Sequence, residues 1–442
     1  MKHNGVGIVI GVIEPAGQRV VVYGRSDAKD GRPLDGDTVF QIGSITKTFT
    51  SLLLADMAVR GEVKLDDPAE KYLPPGVRLA TSGAADARQI TLHHLATHTS
   101  GLPSMPKNFD PHGEPNPLEA YSVDDLYRFV STFRLPREPG EKFEYSNLAV
   151  SLMGRLLGRR AGMEYEALLK QRVLDPLGLK STSITLTADQ TARLAPGHNI
   201  YLQPEHVWEM NAMPASGSLR STANDLLRFV GAYMGYESGT PLKQAMDYQL
   251  TPRVPPGSKQ PVLLGWASRR VGDEWVYLHD GGKSGYRSGV AFNLSARTGV
   301  VALANARTDD QPIDIAYHLL TGRPLKPAPA APAPRKTVVV DHQVLDSYVG
   351  RYEEKPGNYF DVVRNGDLLL IASNGGEGAF FLPLSERDFY LGWGDDEVSF
   401  DVDAAGRAIS LRYYPDGRFP NARQVGDGKE SGTFRSARRV GK

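Results

Sequence analysis

The sequence predicts an α/β (α+β) fold, with one antiparallel sheet flanked by helices, an additional all-helical block, and a small all-β domain after them. Three observations support this prediction. Strand-like runs lie near both ends of residues 1–321, and helical patterns fill the region between them. A Pro/Ala-rich stretch at 322–336 favours an extended linker over packed structure. Alternating apolar residues in 337–442 are typical of antiparallel strands.

The first predicted element is a β-hairpin. Two β-rich runs, Gly7–Ile13 and Val20–Tyr23, flank turn residues at Pro15–Gly17. Their continuous apolar character predicts burial on both faces. A helix is expected at residues 44–60, because apolar residues there recur at helical spacing and Gly61 follows as a stop signal.

Helical and strand patterns then follow through the rest of the first domain. The expected helices are Ser122–Phe133 with Ser122 as N-cap, Asn147–Arg160, Thr222–Met234 and Ile313–Thr321. The expected strands are Glu274–His279, Tyr286–Asn293 and Val300–Asn305. Because neither strand group can stand alone, we predict one antiparallel sheet assembled from both ends of the domain. In the second domain, an Asn365-Gly366 turn predicts a hairpin, and alternation at 398–402 and 409–413 predicts further strands.

Composition excludes several classes of function. The 442 residues contain 51 Lys+Arg and 51 Asp+Glu, so no net positive field attracts nucleic acid, and no nucleic-acid partner is expected. The absence of cysteine removes thiol nucleophiles and thiolate metal sites. No apolar run approaches the ~18–20 residues needed to span a bilayer, and the run Val6–Ile13 lacks the features of a signal peptide. We therefore expect no membrane span, no metal and no cofactor.

The segment Ser44-Ile45-Thr46-Lys47 is the first candidate for catalysis. Its spacing places a hydroxyl and an amine one helical turn apart, so that the two groups can share a proton. Serine is a weak nucleophile until a nearby base takes its proton, and a desolvated lysine can be that base. A helix start adds unpaired N–H groups that favour a developing anion. The simpler alternative for Ser44 is a helix N-cap.

Two further segments carry polar groups suited to catalysis or binding. Tyr145-Ser146-Asn147 lies where a helix begins; a tyrosine beside a lysine can act as general base, and an amide can orient its neighbours. His279-Asp280-Gly281-Gly282 lies at a strand end, and its small residues let a ligand approach the backbone. The alternatives are a packed tyrosine next to a helix cap and a glycine-rich hairpin. A phosphate-binding loop is excluded, because Tyr277 stands where its first glycine is required.

Two other patterns are expected to be structural. A second Ser-x-x-Lys match, Ser26 to Lys29, lies among turn residues and is expected to be a solvated loop. His93, His94 and His98 invite a zinc site, but no His-Glu-x-x-His pattern accompanies them. Structural histidines are therefore the favoured interpretation.

The order Ser-x-x-Lys, Tyr-Ser-Asn and a strand-borne basic residue followed by x-Gly resembles the serine β-lactamase and penicillin-binding-protein superfamily. Class C β-lactamases, D-Ala-D-Ala carboxypeptidases and family VIII carboxylesterases are its most similar branches in pattern. Supporting segments lie across residues 5–320, at 40–50, 90–103, 139–147 and 219–226. The resemblance implies a β-lactamase/transpeptidase-like fold, and the C-terminal region resembles the lipocalin-like β-domains of some members.

The resemblance also implies roles for individual residues. Ser44 would be the acylated nucleophile, Lys47 and Tyr145 its proton-transfer partners, and Asn147 a ligand for the substrate amide. The third motif falls at His279-Asp280-Gly281, because the family follows it with three residues, a glycine and an aromatic residue, which here are Gly285 and Tyr286. The backbone N–H groups of Ser44 and Gly282 would then form an oxyanion hole.

The resemblance implies that the substrate is a small-molecule ester, peptide or β-lactam and that it is hydrolysed without a cofactor. Class C enzymes carry Lys-Thr-Gly where this chain has His279-Asp280-Gly281, which weakens the expected attraction for carboxylated β-lactams near pH 7. We therefore place esterase or broad acyl hydrolase first, D-Ala-D-Ala carboxypeptidase second and β-lactamase third. The alternative to an enzyme is a non-catalytic penicillin-binding sensor. Slow deacylation would distinguish such a sensor from an enzyme. The family also implies a periplasmic or secreted location.

Overall fold

The computed structural model describes residues 5–27, 29, 31–106, 108, 118–198, 202, 204–205, 209–237, 239–306, 311–325, 337–373, 379–391, 396–415 and 434–440. Its helices and strands fall into two compact units, one with the elements up to residue 321 and the other with those from residue 342. Most of the expected linker at 322–336 lies outside the described residues, so the domain boundaries stay a prediction. No helix within the described ranges is long and apolar enough to cross a membrane.

The first unit combines helices with a six-stranded and a two-stranded sheet. Its helices are α1 (Thr46–Val59), α2 (Leu92–Ala96), α3 (Val123–Thr132), α4 (Asn147–Ala161), α5 (Tyr165–Leu169), α6 (Ala188–Arg193), α7 (Ala223–Tyr233), α8 (Lys243–Leu250) and α9 (Pro312–Thr321). Its strands are β1 (Gly7–Glu14), β2 (Gly17–Gly24), β3 (Phe40–Gln41), β4 (Arg220–Ser221), β5 (Ala267–Val271), β6 (Glu274–Lys283), β7 (Tyr286–Asn293) and β8 (Thr298–Ala304).

The main sheet has the strand order β2-β1-β8-β7-β6-β5, and all neighbouring strands are antiparallel. The prediction of one sheet built from both ends of the domain is confirmed. Helix α7 packs on β1 and β8, and α9 packs on β7 and β8. The expected burial on both faces holds for β1 but is wrong for β2, whose Val21, Val22 and Tyr23 are exposed. The physical reason is that β2 is the edge strand, while these helices cover the inner strands.

Helix α1 lies at the centre of the first unit. Every residue from Thr46 to Met57 is buried, and the helix packs against α8 and the 3₁₀ turn Pro214–Ser216. A second 3₁₀ turn, Gly43–Ile45, leads into α1 and contacts β6. The start of α1 is therefore fixed between a strand and the helical layer.

The second unit is a closed antiparallel barrel of eight strands, which confirms the predicted small all-β domain. Its elements are α10 (His342–Tyr348), β9 (Gly350–Lys355), β10 (Asn358–Asn365), β11 (Leu368–Ser373), β12 (Ala379–Pro383), β13 (Asp388–Leu391), β14 (Glu397–Val402), β15 (Ala408–Tyr414) and β16 (Arg435–Val440). The predicted Asn365-Gly366 turn joins β10 to β11. Tyr348 of α10 stacks on Phe400 in the apolar core, with ring centroids 4.4 Å apart. The helix thus contributes to the core of the barrel.

Candidate active site

Four of the predicted side chains meet at the N-terminal ends of α1 and α4. Lys47 Nζ donates to Ser44 Oγ at 2.9 Å and to Asn147 Oδ1 at 2.7 Å. The Tyr145 hydroxyl donates to the same Ser44 Oγ at 2.7 Å. The fold therefore brings together the Ser-x-x-Lys and Tyr-Ser-Asn motifs, although Lys47 and Asn147 are 100 positions apart in the chain.

The amine of Lys47 is oriented by two fixed acceptors. Its side chain is fully buried, and its third contact is the backbone oxygen of Ser216 at 2.7 Å. The Asn147 Oδ1 and Ser216 oxygen atoms can only accept hydrogen bonds, so each requires an N–H of the amine. The remaining position of Nζ faces Ser44 Oγ. It holds an N–H in the ammonium form and a lone pair in the neutral form, which is the geometry that a base for the serine hydroxyl needs.

Tyr145 is the most exposed of the four clustered residues. Its side chain is 37% exposed, whereas Ser44 is half-buried. Lys47 Nζ lies 4.8 Å from the centroid of the tyrosine ring, within the range of a cation–π contact. The phenol is therefore the part of the cluster that is most accessible from solvent.

His98 is a site residue to which the sequence analysis gave no catalytic part. Its ring stacks on the Tyr145 ring with centroids 4.5 Å apart, and its Nδ1 accepts from the backbone N–H of Ser146 at 3.1 Å. Burial, together with the charge of Lys47, lowers the pKa of His98 to about 3. The ring is therefore neutral, with its proton on Nε2, and it positions the Tyr145-Ser146 backbone. The sequence around it, Thr97–Gly101, is typical of a helix terminus, but this pattern does not reveal the left-handed φ of 59° at His98.

Replacing His98 by asparagine is expected to lower kcat roughly tenfold or more. Without the ring that stacks on it, the Tyr145 side chain can shift relative to Ser44, and a small displacement of a catalytic group lowers the rate. Asparagine tolerates the left-handed backbone but removes the ring that stacks on Tyr145. The measurement is kcat and KM for p-nitrophenyl acetate between pH 5 and 9, together with a thermal melt. His342→Asn, at an exposed position of the second unit, is the matched control. An unchanged kcat in a folded His98→Asn variant would contradict the positioning role.

The other motif candidates lie apart from this cluster. His94 accepts from the Thr91 backbone N–H in the cap of α2, and its Nε2 donates to the Pro256 oxygen at 2.7 Å. His93 Nδ1 lies 3.3 Å from an Asp66 oxygen. Among the described residues there is no group of three side chains suited to hold a metal ion.

The expectation that Ser26 belongs to a solvated loop is wrong. Ser26 is buried, and its Oγ accepts from the Arg32 backbone N–H at 2.9 Å, which closes a turn. Lys29 is exposed. In the second Ser-x-x-Lys match, the serine is thus a buried turn residue and the lysine is exposed.

The edge of β6 packs against the turn that precedes Ser44. A Cβ atom on Gly281 would lie 2.1 Å from the Ile42 oxygen, and one on Gly43 would lie 2.7 Å from the Gly282 nitrogen. Gly43 also has a φ of 50°, which favours glycine. The Gly282 backbone therefore lies beside Gly43-Ser44, as the expected pair of oxyanion donors requires.

His279 and Asp280 occupy opposite faces of β6. His279 is half-buried, and its Nδ1 donates to the Asp280 backbone oxygen at 2.6 Å. Burial and the charge of Lys47 lower the pKa of His279 well below its usual value, so the ring is neutral near pH 7. Strand alternation places Asp280 on the face of Val276 and Leu278, which pack with α9 residues. The carboxylate of Asp280 is therefore turned away from the face that carries His279.

Comparisons with known proteins point to one group of enzymes. The family model described as Beta-lactamase matches residues 1–323. The D-alanyl-D-alanine-carboxypeptidase/endopeptidase AmpH of Escherichia coli K12 is 30% identical over 272 residues, which cover 57% of this chain and 66% of that protein, just under two thirds of its length. Penicillin-binding protein 4* of Bacillus subtilis is 24% identical over 418 residues, 89% of each chain. The crystal structure of a β-lactamase/D-alanine carboxypeptidase from Yersinia pestis has a TM-score of 0.62 at 26% identity and covers 72% of this chain and 92% of that one.

Proposed function

Because the chain belongs to the β-lactamase family, we propose that it is a serine hydrolase that forms an acyl-enzyme on Ser44 and removes D-Ala from D-Ala-D-Ala peptides. One observation carries the proposal: Ser44 Oγ lies within hydrogen-bond distance of both Lys47 Nζ and the Tyr145 hydroxyl. The names of the similar proteins support carboxypeptidase and β-lactamase activity better than the esterase activity that the sequence alone placed first. β-Lactam hydrolysis is the second candidate.

The proposed acylation begins with transfer of the Ser44 proton. As the Oγ atom attacks the carbonyl carbon of the substrate, its proton passes to the neutral form of the Lys47 amine or to the ionised form of the Tyr145 phenol, and both groups already contact Oγ. The carbonyl oxygen becomes an oxyanion, which the N–H groups of Ser44 and Gly282 stabilise. Return of the proton to the leaving amine expels D-Ala, and water then hydrolyses the acyl-enzyme by the reverse steps.

His279 stands where class C β-lactamases carry a permanently charged lysine in the third motif. Its neutral ring offers a hydrogen-bonding atom at Nε2, because Nδ1 is engaged with the Asp280 oxygen. A neutral ring attracts a carboxylate on the leaving side less than a lysine ammonium does. We therefore propose that neutral esters, which have no carboxylate on the leaving side, lose less attraction from this replacement than carboxylated β-lactams do.

The proposal includes domain organisation and location. Ser44, Lys47, Tyr145 and His279 all precede residue 322, so we propose that residues 1–321 hold the catalytic groups and that 337–442 form a separate domain. Family membership supports a periplasmic or secreted location as part of the same proposal.

A substrate panel tests the proposed function. We expect purified protein to release D-Ala from an acyl-D-Ala-D-Ala peptide, and we expect Ser44→Ala to lose this activity while remaining folded. Hydrolysis of nitrocefin without D-Ala release would favour the β-lactamase candidate, and turnover of p-nitrophenyl acetate alone would favour the esterase. Stoichiometric acylation without turnover would support the penicillin-binding sensor and contradict the proposal.

A further inference from the structure

The last residue of β6 carries an amine that the mechanism above does not use. Lys283 Nζ is buried and has no hydrogen-bond partner among the described residues. Buried polar groups are nearly always paired, because an unpaired one gives up its contacts with water without replacement. The amine is therefore able to take a partner that the described residues do not supply.

The charged groups around Lys283 leave it available for an anion. The charges that act on it are those of Glu209 and Arg220, and the Glu209 carboxylate is engaged in an ion pair with the Arg220 guanidinium. On β7, the side chain of Tyr286 is also engaged, since its hydroxyl donates to the Ala195 oxygen at 2.7 Å. Burial lowers the pKa of Lys283 to about 7, and Arg220 acts in the same direction. An added carboxylate would therefore favour the charged form of the amine.

Lys283 follows the part of β6 that packs beside the turn of Ser44, and it lies at the end of the strand away from His279. Gly282, the preceding residue, abuts Gly43, which precedes Ser44. His279, near Lys47, lies four residues earlier on β6, or roughly 13 Å at the usual rise per residue of a strand. The leaving group must lie near Lys47 and Tyr145 to receive a proton. The acyl part of a substrate bound along this strand then extends toward Lys283.

We infer that Lys283 recognises a carboxylate on the acyl side of the substrate. The lysine side chain is flexible, so a change of rotamer can move the ammonium group from its buried position to a substrate carboxylate bound beside Gly282. The resulting ion pair would select acyl groups with an acidic end over neutral groups of the same length. This inference rests on the proposed acyl-enzyme at Ser44, since it assigns the part of the substrate that stays on the enzyme.

The test compares the p-nitrophenyl monoesters of adipic and suberic acid with their matching primary amides. The measured quantity is the ratio of kcat/KM for the acid to that for the amide. In the wild type this ratio is expected to exceed one, and Lys283→Gln is expected to lower it about tenfold, mainly through the KM of the acid. Lys259→Gln, at an exposed loop position, is the matched control and is expected to keep the wild-type ratio.

The outcomes separate the two proposals. If the wild type releases p-nitrophenol from neither ester and Ser44 is not acylated, the proposed function fails. If both esters are turned over and Lys283→Gln leaves the ratio unchanged, the inference about Lys283 is overturned while the acyl-enzyme stands.

A measurement on the wild type decides the matter if Lys283→Gln does not fold. The Lys283 amine is charged below its pKa of about 7 and neutral above it, and binding of an anion moves this transition upward. Glu209 and Arg220 are the charged groups that face it, and the substrate carboxylate is ionised above about pH 5. The acid-to-amide ratio is therefore expected to be highest near pH 6 and to fall toward pH 9. An acid-to-amide ratio that does not exceed one at any pH in this range overturns the inference.

Discussion

Replacement of Ser44 by alanine is expected to abolish acyl-enzyme formation and to lower kcat/KM by roughly four to six orders of magnitude. The physical reason is that Lys47 Nζ and the Tyr145 hydroxyl both contact Ser44 Oγ, so the proton relay loses its nucleophile without this atom. The measurement is mass spectrometry after incubation with a penicillin or a slow ester. We expect the mass increase on the peptide that contains Ser44 in the wild type and no increase in the variant.

The second Ser-x-x-Lys match supplies the control for this experiment. Ser26 Oγ is engaged with the Arg32 backbone N–H, and Lys29 is exposed, so Ser26 lacks an activating base. Ser26→Ala should therefore keep the acyl adduct on Ser44 and most of the activity. An adduct on Ser26, or an active Ser44→Ala variant, would contradict the assignment.

Local chemistry made much of the fold predictable. The expected helix at 122–133 forms as α3, with Ser122 accepting from the Asp125 backbone N–H, because that cap is encoded by residues three positions apart. Ser146 caps α4 in the same way, and Gly162 ends it with a φ of 68°. The sheet followed from the pairing needs of two incomplete strand groups, and β1 indeed pairs with β8. Helix caps could be predicted because they depend on residues a few positions apart. The sheet could be predicted because each strand group alone has too few strands to be stable.

The parts of the site that sequence did not reveal depend on contacts through space. The backbone oxygen of Ser216 accepts a hydrogen bond from Lys47, which is 169 positions away in the chain. Every residue has a backbone oxygen, so the residue type does not indicate this contact. His98 resembled its neighbours His93 and His94 in sequence, yet only His98 stacks on Tyr145 among these three. The exposure of Val21 and Tyr23 follows from the edge position of β2, which is a property of strand order rather than of composition.

Loss of either partner of Ser44 is expected to remove most of the catalytic rate. Tyr145→Phe keeps the ring that stacks on His98 but removes the hydroxyl that donates to Ser44 Oγ. Lys47→Met keeps most of the buried volume but removes the amine that donates to the Asn147 and Ser216 oxygens, and each lost hydrogen bond costs about 1–3 kcal/mol of stability. Each variant should lose several orders of magnitude in kcat, because members of one proton relay act as a unit.

The double variant provides the sharpest form of this prediction. If Lys47 and Tyr145 share one proton path to Ser44, then Lys47→Met with Tyr145→Phe should be little slower than the slower single variant, whereas independent roles would multiply the two losses. Single-turnover kinetics with p-nitrophenyl acetate measure the acylation step, and thermal melts separate catalytic loss from unfolding. Tyr23→Phe and Lys64→Ala, both at exposed positions, are the matched controls. Near-wild-type acylation by a folded Tyr145→Phe variant would reduce Tyr145 to a packing residue and leave Lys47 as the only base in contact with Ser44.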